Sequence, residues 1–323
     1  MFCEMDRPIS DSVRQIGLDR WLLGSAMVCE QGLTPHERAL VSWHDENGNC
    51  YSVCHATEAD GRLRTRGKIP GDALPEDLLL HQAGTASAVW KLGGTVCKVK
   101  SWIPGLQLEH ETITFINEHF PSIPTAKVLF AWIDEPLNRT FTILETVKGN
   151  RLDRAWPSLS DGQRQSIAAQ IAAFCATLAT QTSTKYETLS RYGSAELFLI
   201  PREPKDHPSW KPVIWDPQGL DKATEYFFPL KVAHSFVLYH ADLGPTNIFI
   251  NRDGEVQAVI DWESAAFYPK FYVALKPLIS YGFVLEDFPE ELRAWSELLA
   301  SELQKMGFES DKEAYKAWKL QRS

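Results

Sequence analysis

A chain of 323 residues, 44% hydrophobic and 23% charged, has room for about two domains and the make-up of an ordinary soluble globular protein. Its formal net charge of −9, with no dense stripe of lysine and arginine to offset phosphate charge, argues against a nucleic-acid partner. No run of about 18 apolar residues occurs, so no membrane span is expected. The opening Met1-Phe-Cys-Glu-Met-Asp-Arg-Pro8 lacks the basic segment and apolar run of a secretory leader. Six cysteines at positions 3, 29, 50, 54, 97 and 175 do not read as a disulfide framework in a chain of this size. A reduced, cytoplasmic setting is expected, and no protein partner is evident.

In chain order, Leu40-Val-Ser-Trp43, Asn47-Gly48 and Cys50-Tyr-Ser-Val-Cys54 predict a hairpin. Gly61, Gly67, Pro70, Gly71 and Pro75 then mark a loop and linker. Residues 1–77 read as an extension packed on the segment that begins at residue 78, covering an exposed sheet edge there. Cys50-x3-Cys54-His55 has the look of half a zinc site, but the second ligand pair is missing, so these residues are expected to be half-buried strand positions.

From residue 78 the pattern changes. Ala83-Gly-Thr-Ala-Ser-Ala-Val-Trp90, the Gly93-Gly94 turn and Thr95-Val-Cys-Lys-Val-Lys100 predict strand, turn, strand. Side chains two apart share a strand face, so Val96, Lys98 and Lys100 point the same way. Leu108, Ile113 and Ile116 recur at helical intervals, placing Glu109 and Glu111 in the first turn of a helix. Ser122–Leu129 reads as a turn into a strand, and Arg139–Glu145 as the next strand, running out through Val147 to Gly149. Ser160-x-x-Gln163 forms a capping box that opens a helix with Ile167, Ile171, Phe174 and Leu178 on its core face. Residues 181–234 show no clean period and read as a long irregular insert.

The chemistry is densest between residues 235 and 263. Ser235–Tyr239 predicts a strand leading into His240-Ala-Asp242-Leu-Gly-Pro-Thr-Asn247. Asn247–Asn251, the Asp253-Gly254 turn and Val256–Ile260 then form a hairpin ending at Asp261-Trp262-Glu263. Such a hairpin brings Asn247 and Asp261 to one place. Two carboxylates and an amide in this pattern suit phosphoryl transfer, which needs one carboxylate to align and deprotonate a hydroxyl and oxygen ligands to hold Mg²⁺ on nucleotide phosphates. Asp242 suits the first task, Asn247 and Asp261 the second. After Glu263 the chain is aromatic and helical in character, and its acidic Glu286, Asp287, Glu290 and Glu291 would attract a cation or solvate a surface.

His240-Ala-Asp242-x4-Asn247 followed by Ile260-Asp261-Trp262-Glu263 resembles the aminoglycoside phosphotransferase and choline kinase-like family, with Ala241 where that family usually has glycine. The resemblance covers roughly residues 80–275. It implies an α+β, two-lobed protein-kinase-like fold: a small antiparallel-sheet N-lobe with one helix over 78–148, and a larger, mostly helical C-lobe over 149–323. It further implies a kinase using ATP and Mg²⁺ on the hydroxyl of a small molecule. Gly84-Thr85 would be a shortened phosphate loop. Val96 would cover the adenine, and Lys98 would reach the α/β-phosphates in the manner of a Val-Ala-Ile-Lys strand. Glu109, or alternatively Glu111, would pair with that lysine, and the adenine would bond the hinge backbone between Glu145 and Val147. His240 would brace the loop beside Asp242. Gly149-x-x-Leu152-x-x-x-Trp156 matches the family's entry to the large lobe. Two other functions fit the same residues: a kinase-shaped binding protein with reduced catalysis, and a metal-dependent phosphohydrolase, for which the extra ligands of a two-metal site are missing.

Overall fold

The computed structural model describes residues 8–57, 59–60, 78–184, 186–191, 196, 236–310, 312–313 and 315–316. The 61–75 linker and most of the 181–234 insert expected from the sequence lie outside these residues. The described chain forms two compact units. One is built from residues up to Pro104 together with Lys127–Thr146, the other from Gly105–Ala126 together with the chain from Val147 onward.

The first unit is a pair of five-stranded antiparallel sheets. Strands β1 (Val13–Gly17), β2 (Arg20–Leu23), β3 (Met27–Gly32), β4 (Val41–His44) and β5 (Cys50–His55) line up in the order β1-β2-β3-β5-β4. Strands β6 (Leu79–Ala83), β7 (Ser87–Leu92), β8 (Thr95–Ser101), β9 (Val128–Asp134) and β10 (Arg139–Glu145) follow the same order, β6-β7-β8-β10-β9. The two sheets share one hydrophobic core. Val13, Trp21, Leu23, Cys29, Trp43 and Val53 of the first meet Ala88, Trp90, Cys97, Val99, Phe141 and Ile143 of the second. The expected hairpin is present as β4 and β5. The extension, however, covers a sheet face and not an edge, because Ala88, Trp90 and Leu92 of β7, Cys97 and Val99 of β8, and Phe141 and Ile143 of β10 form an apolar face that needs an apolar cover.

Contacts at the β7–β8 turn hold the sheets in register. Trp43 donates its indole N–H to the Gly93 carbonyl at 2.9 Å. Gly93 has φ +49, and a Cβ there would lie 2.1 Å from the Tyr51 ring, so both the turn and the contact require glycine. Ser25 of the first sheet's β2–β3 turn bonds the Asp134 carboxylate at the end of β9, its hydroxyl at 2.7 Å.

The second unit carries the helices α1 (Glu109–His119), α2 (Leu152–Ala155), α3 (Asp161–Leu178), α4 (Lys270–Ile279) and α5 (Ala294–Lys305). Its two small sheets are β11 (Asn150–Arg151), β14 (Ile248–Ile250) and β15 (Val256–Val259), and β12 (Thr182–Ser183), β13 (Phe236–Tyr239) and β16 (Ala266–Pro269), with every paired strand antiparallel. The fold is α+β. The Ser160 capping box opens α3 as expected. Its buried face runs through Ile167, Ala168, Ile171, Ala172, Cys175 and Leu178, while Phe174 is only half-buried. Helix α1 groups with this unit, whereas the sequence reading placed it with 78–148. Two contacts account for that: the Glu109 carboxylate accepts the Trp262 backbone N–H, and Val259 donates to the Pro124 carbonyl.

Removing residues 1–57 would expose Trp90, Cys97, Val99, Phe141 and Ile143, all fully buried, of which Val99, Phe141 and Ile143 are each worth roughly 1.5–3 kcal/mol when covered. The truncated chain is expected to aggregate or to lose its cooperative melting transition. A soluble truncation melting like the full chain would show the first sheet to be an appendage.

Candidate active site

The loop after β13 is shaped by His240, which is fully buried. Its Nδ1 accepts the Asp242 backbone N–H at 3.1 Å, and its Nε2 lies 3.1 Å from the Ile260 carbonyl. Only the tautomer with the proton on Nε2 satisfies both contacts, so the ring accepts on one side and donates on the other. It also stands edge-on to Trp262, ring centroids 4.5 Å apart. These contacts tie the loop to the end of β15.

Ala241 has φ +64 and is completely buried. The left-handed region costs an L-residue about 1–2 kcal/mol. The substitution of alanine for the family's usual glycine therefore carries backbone strain that its small size hides in the sequence. Asp261 is also left-handed, at φ +67 and ψ 58, a conformation that aspartate tolerates better than most residues. It stands just before a single-turn helix over Trp262–Ser264, to which its side chain makes no capping hydrogen bond. Strained residues thus stand on both sides of the site, a pattern typical of functional loops.

Asn247 joins the two carboxylate segments. Its side-chain N–H₂ donates to both the Asp242 carbonyl and the Asp242 Oδ2, each at 2.9 Å, and its backbone carbonyl accepts from Ile260 at 2.9 Å. With the amide nitrogen committed to Asp242, the other end of the side chain is Oδ1, which accepts from the Thr246 hydroxyl at 3.4 Å. A hard divalent cation takes such amide and carboxylate oxygens, so Asn247 and Asp261 fit a magnesium ion. Three further contacts fix this loop from behind. Trp295 of α5 donates its indole N–H to the Leu243 carbonyl at 3.0 Å, Asp153 donates its N–H to the Pro245 carbonyl, and Asn247 donates its own to Gly244.

The Asp242 carboxyl is pushed up to about 6, first by burial and next by the negative charge of Asp261. Lys276 of α4 and the Asn247 hydrogen bond oppose the rise. Lys276 is itself buried in an ion pair with Glu196. Two like charges close together in a partly desolvated site are costly unless a cation joins them, and that is the state a bound divalent ion relieves.

The remaining candidates take definite places within their own units. Glu109 is buried, and its Oε1 accepts the Trp262 backbone N–H at 3.2 Å. Glu111 is engaged elsewhere: its Oε2 accepts from Gln107 at 3.0 Å and from the Ser190 hydroxyl at 3.2 Å. Glu109 is thus the glutamate joined to the motif backbone. In the first unit, β8 buries Cys97 and Val99 between the sheets, so Val96, Lys98 and Lys100 occupy its other face. Gly84 and Thr85 form the exposed β6–β7 turn, with Gly84 at φ +54. Glu145 donates its backbone N–H to Lys127 and pairs its carboxylate with that lysine at 3.6 Å, whereas Val147 opens the second unit. Among the acidic residues after Glu263, Asp287 accepts from Arg154 at 2.9 Å and Glu291 from Arg164 at 3.0 Å. Those two carboxylates serve local packing.

The family model for the phosphotransferase enzyme family, APH, matches residues 81–272, more than half of the chain. The chain belongs to this family. The matched span runs from β6 into α4 and contains Lys98, Glu109, Asp242, Asn247 and Asp261. No curated protein sequence matches the chain. Among solved structures it is similar to a thermostable mutant of aminoglycoside phosphotransferase APH(4)-Ia in ternary complex with AMP-PNP and hygromycin B, at 18% identity over 78% of this chain and 85% of the other, TM-score 0.47. It is also similar to aminoglycoside phosphotransferase APH(3'')-Id from Streptomyces rimosus, at 19% identity over 75% of this chain and 91% of the other, TM-score 0.47. A third, an aminoglycoside-3'-phosphotransferase of type VIII, shares 18% identity over 81% and 96%, TM-score 0.45.

Sequence reasoning missed several residues that hold this phosphotransferase's loop. Trp295 lies 52 positions from Leu243, and nothing local marks it. Lys276 left a trace, a lone lysine in the apolar run Val273-Ala-Leu-Lys-Pro277. Among the described residues, no helix is long and apolar enough to cross a membrane, and no three His, Cys, Asp or Glu residues cluster to hold a metal.

Because the folded Asp242 keeps its proton to a higher pH than an unfolded aspartate, its stabilising contribution is full below the ordinary value of 3.8 and is lost as pH rises through about 6. In chelator-treated protein, Asp242→Asn is expected to melt above the wild type at pH 7–8 and to lose that advantage toward pH 4. Thermal melts across this range check it; a variant less stable than wild type at pH 8 would contradict the electrostatic account.

Proposed function

We propose that the chain transfers the γ-phosphate of ATP, held with Mg²⁺, to a hydroxyl group of a small molecule. The observation that carries this reading is the Asn247 side chain, which fixes the Asp242 carboxylate with its nitrogen and so leaves its oxygen as the end that would take a cation. When bound, magnesium would draw charge from the nucleotide phosphates; Asn247 and Asp261 are its proposed ligands. Asp242 aligns the acceptor hydroxyl and takes its proton as the oxygen attacks phosphorus. His240 keeps the loop in shape and does not exchange protons, since both ring nitrogens are committed to backbone groups.

The nucleotide side of the proposal follows the family's pattern. Lys98 neutralises charge on the α/β-phosphates, Val96 covers the adenine from the same strand face, and the Gly84-Thr85 turn closes over the phosphates. Glu109 steadies the lysine, which fixes a long flexible ammonium in the orientation phosphate binding needs. The base bonds the hinge backbone from Glu145 to Val147. Membership of the family and the register of β8 support these roles. The protein is proposed to work in the cytoplasm on a small molecule, without nucleic acid, membrane or protein partner.

A screen of ATP consumption across hydroxylated metabolites, with Asp242→Asn as the blank, tests the reading. Loss of the base is expected to cost roughly 10²–10⁴ in rate while leaving nucleotide binding in place. Asp261→Ala is expected to be worse, because it removes the charge that holds the metal. Lys98→Met should mainly raise the KM for ATP. Full turnover by Asp242→Asn or Asp261→Ala would overturn the assignment.

A further inference from the structure

The two oxygens of Asp242 meet different surroundings. Oδ2 accepts the Asn247 amide, whereas Oδ1 has no hydrogen-bond partner among the described residues. What lies beside Oδ1 is Gly282, in the turn that comes after α4. A Cβ built on Gly282 would sit 3.4 Å from Oδ1 and 3.6 Å from the Ser280 hydroxyl. Gly282 does not have a positive φ, so its backbone is one that any residue adopts. The absent side chain leaves space against the open oxygen of the base.

The turn is held firmly in that place. A Cβ on Gly244 of the catalytic loop would come within 2.1 Å of the Gly282 carbonyl, so the two backbones touch where no side chain fits. Gly282 donates to the Ser280 hydroxyl at 3.3 Å, Val284 donates to the Tyr281 carbonyl at 3.2 Å, and Phe283 is fully buried. Tyr281 between them is 63% exposed, and among the described residues it is the only aromatic ring in the set of exposed large apolar side chains. An exposed ring in this turn offers a flat-faced ligand a surface to stack on.

We propose that the Ser280–Gly282 turn is the wall along which the acceptor reaches Asp242, with Gly282 kept small to admit its hydroxyl to Oδ1 and Tyr281 presenting a ring face to its body. This rests on the phosphotransfer reading and adds the residues that select the acceptor: a hydroxyl compound bearing a sugar or aromatic ring. As the acceptor oxygen bonds to the γ-phosphorus, its proton passes to Oδ1 and the bond from that phosphorus to the bridging oxygen breaks, releasing ADP. Gly282 and Tyr281 are specificity residues and take no part in proton transfer.

The experiment measures ATP turnover by the full chain with ring-bearing acceptors (streptomycin, hygromycin B, benzyl alcohol), acyclic ones (choline, glycerol) and water alone, for wild type, Gly282→Ala, Gly282→Val, Tyr281→Ala and Tyr281→Phe. A misplaced or excluded acceptor hydroxyl costs up to about 10²-fold, so Gly282→Ala is expected to lower acceptor kcat/KM roughly 10-fold and Gly282→Val about 10²-fold, with the KM for ATP unchanged. Tyr281→Ala should lose roughly 10-fold on ring-bearing acceptors only, and Tyr281→Phe should restore them. If Gly282→Val does not fold, Gly282→Ala decides alone, since its methyl group meets only ordinary contact distances. Wild-type acceptor kinetics in both Gly282 variants, or a Tyr281→Ala loss equal for ring and acyclic acceptors, overturn the proposal while leaving phosphotransfer intact. A wild type that binds Mg·ATP yet turns over with none of these, water included, overturns both.

Discussion

One side chain sets the geometry of this site. The amide of Asn247 gives both its N–H bonds to Asp242, one to the backbone and one to the carboxylate. Its orientation is thereby decided, and its oxygen is the end left for a cation. An aspartate at position 247 could bind a metal as well or better, but it would repel Asp242 and could donate nothing to it. A glutamine would reach past.

The arrangement is costly for the folded chain, and its supports are visible. Two left-handed non-glycine residues, Ala241 and Asp261, flank the site, and two carboxylates repel each other in it. Against this stand buried aromatic anchors. Trp262 is 1% exposed, packs on His240, and donates its indole N–H to Val259 at 2.9 Å. Its backbone N–H is fixed by Glu109, while Trp295 holds Leu243 from the opposite side of the sequence. The tryptophan of the Ile-Asp-Trp-Glu motif is therefore structural: it keeps Asp261 in a conformation that the residue would not hold by itself. Stability given up in this way at a site is common where charge has to be concentrated before a ligand arrives.

How much could be read beforehand depended on whether the cue was local. The β14–β15 hairpin was legible because Asp253-Gly254 marks its turn, with Gly254 at φ +83. The α3 start was legible because the capping box is a four-residue pattern. The motif brought Asp242, Asn247 and Asp261 forward as candidates because its spacing is local and resembles the family's. The first sheet was half missed: β1, β2 and β3 are only four to six residues long, and Leu22 and Leu23 are buried on opposite faces of one strand, which erases the alternation that signals a strand. That the sheet covers a face, in the same strand order as its partner, is a property of pairing that no local pattern records. The allegiance of α1 was likewise hidden, since it depends on Glu109 finding a backbone N–H 153 positions away. Ala241 was visible as a departure, but its meaning needed the dihedral angle.

The claim on which the account turns is that Asn247 and Asp261 hold one divalent ion on the nucleotide beside Asp242. Titrating Mn²⁺ into the protein with a non-hydrolysable ATP analogue, and following the bound ion by electron paramagnetic resonance, tests it directly. The account predicts one nucleotide-dependent ion in the wild type, lost in Asp261→Ala, weakened in Asn247→Ala and retained in Asp242→Asn. Undiminished Mn²⁺ binding by Asp261→Ala would contradict it.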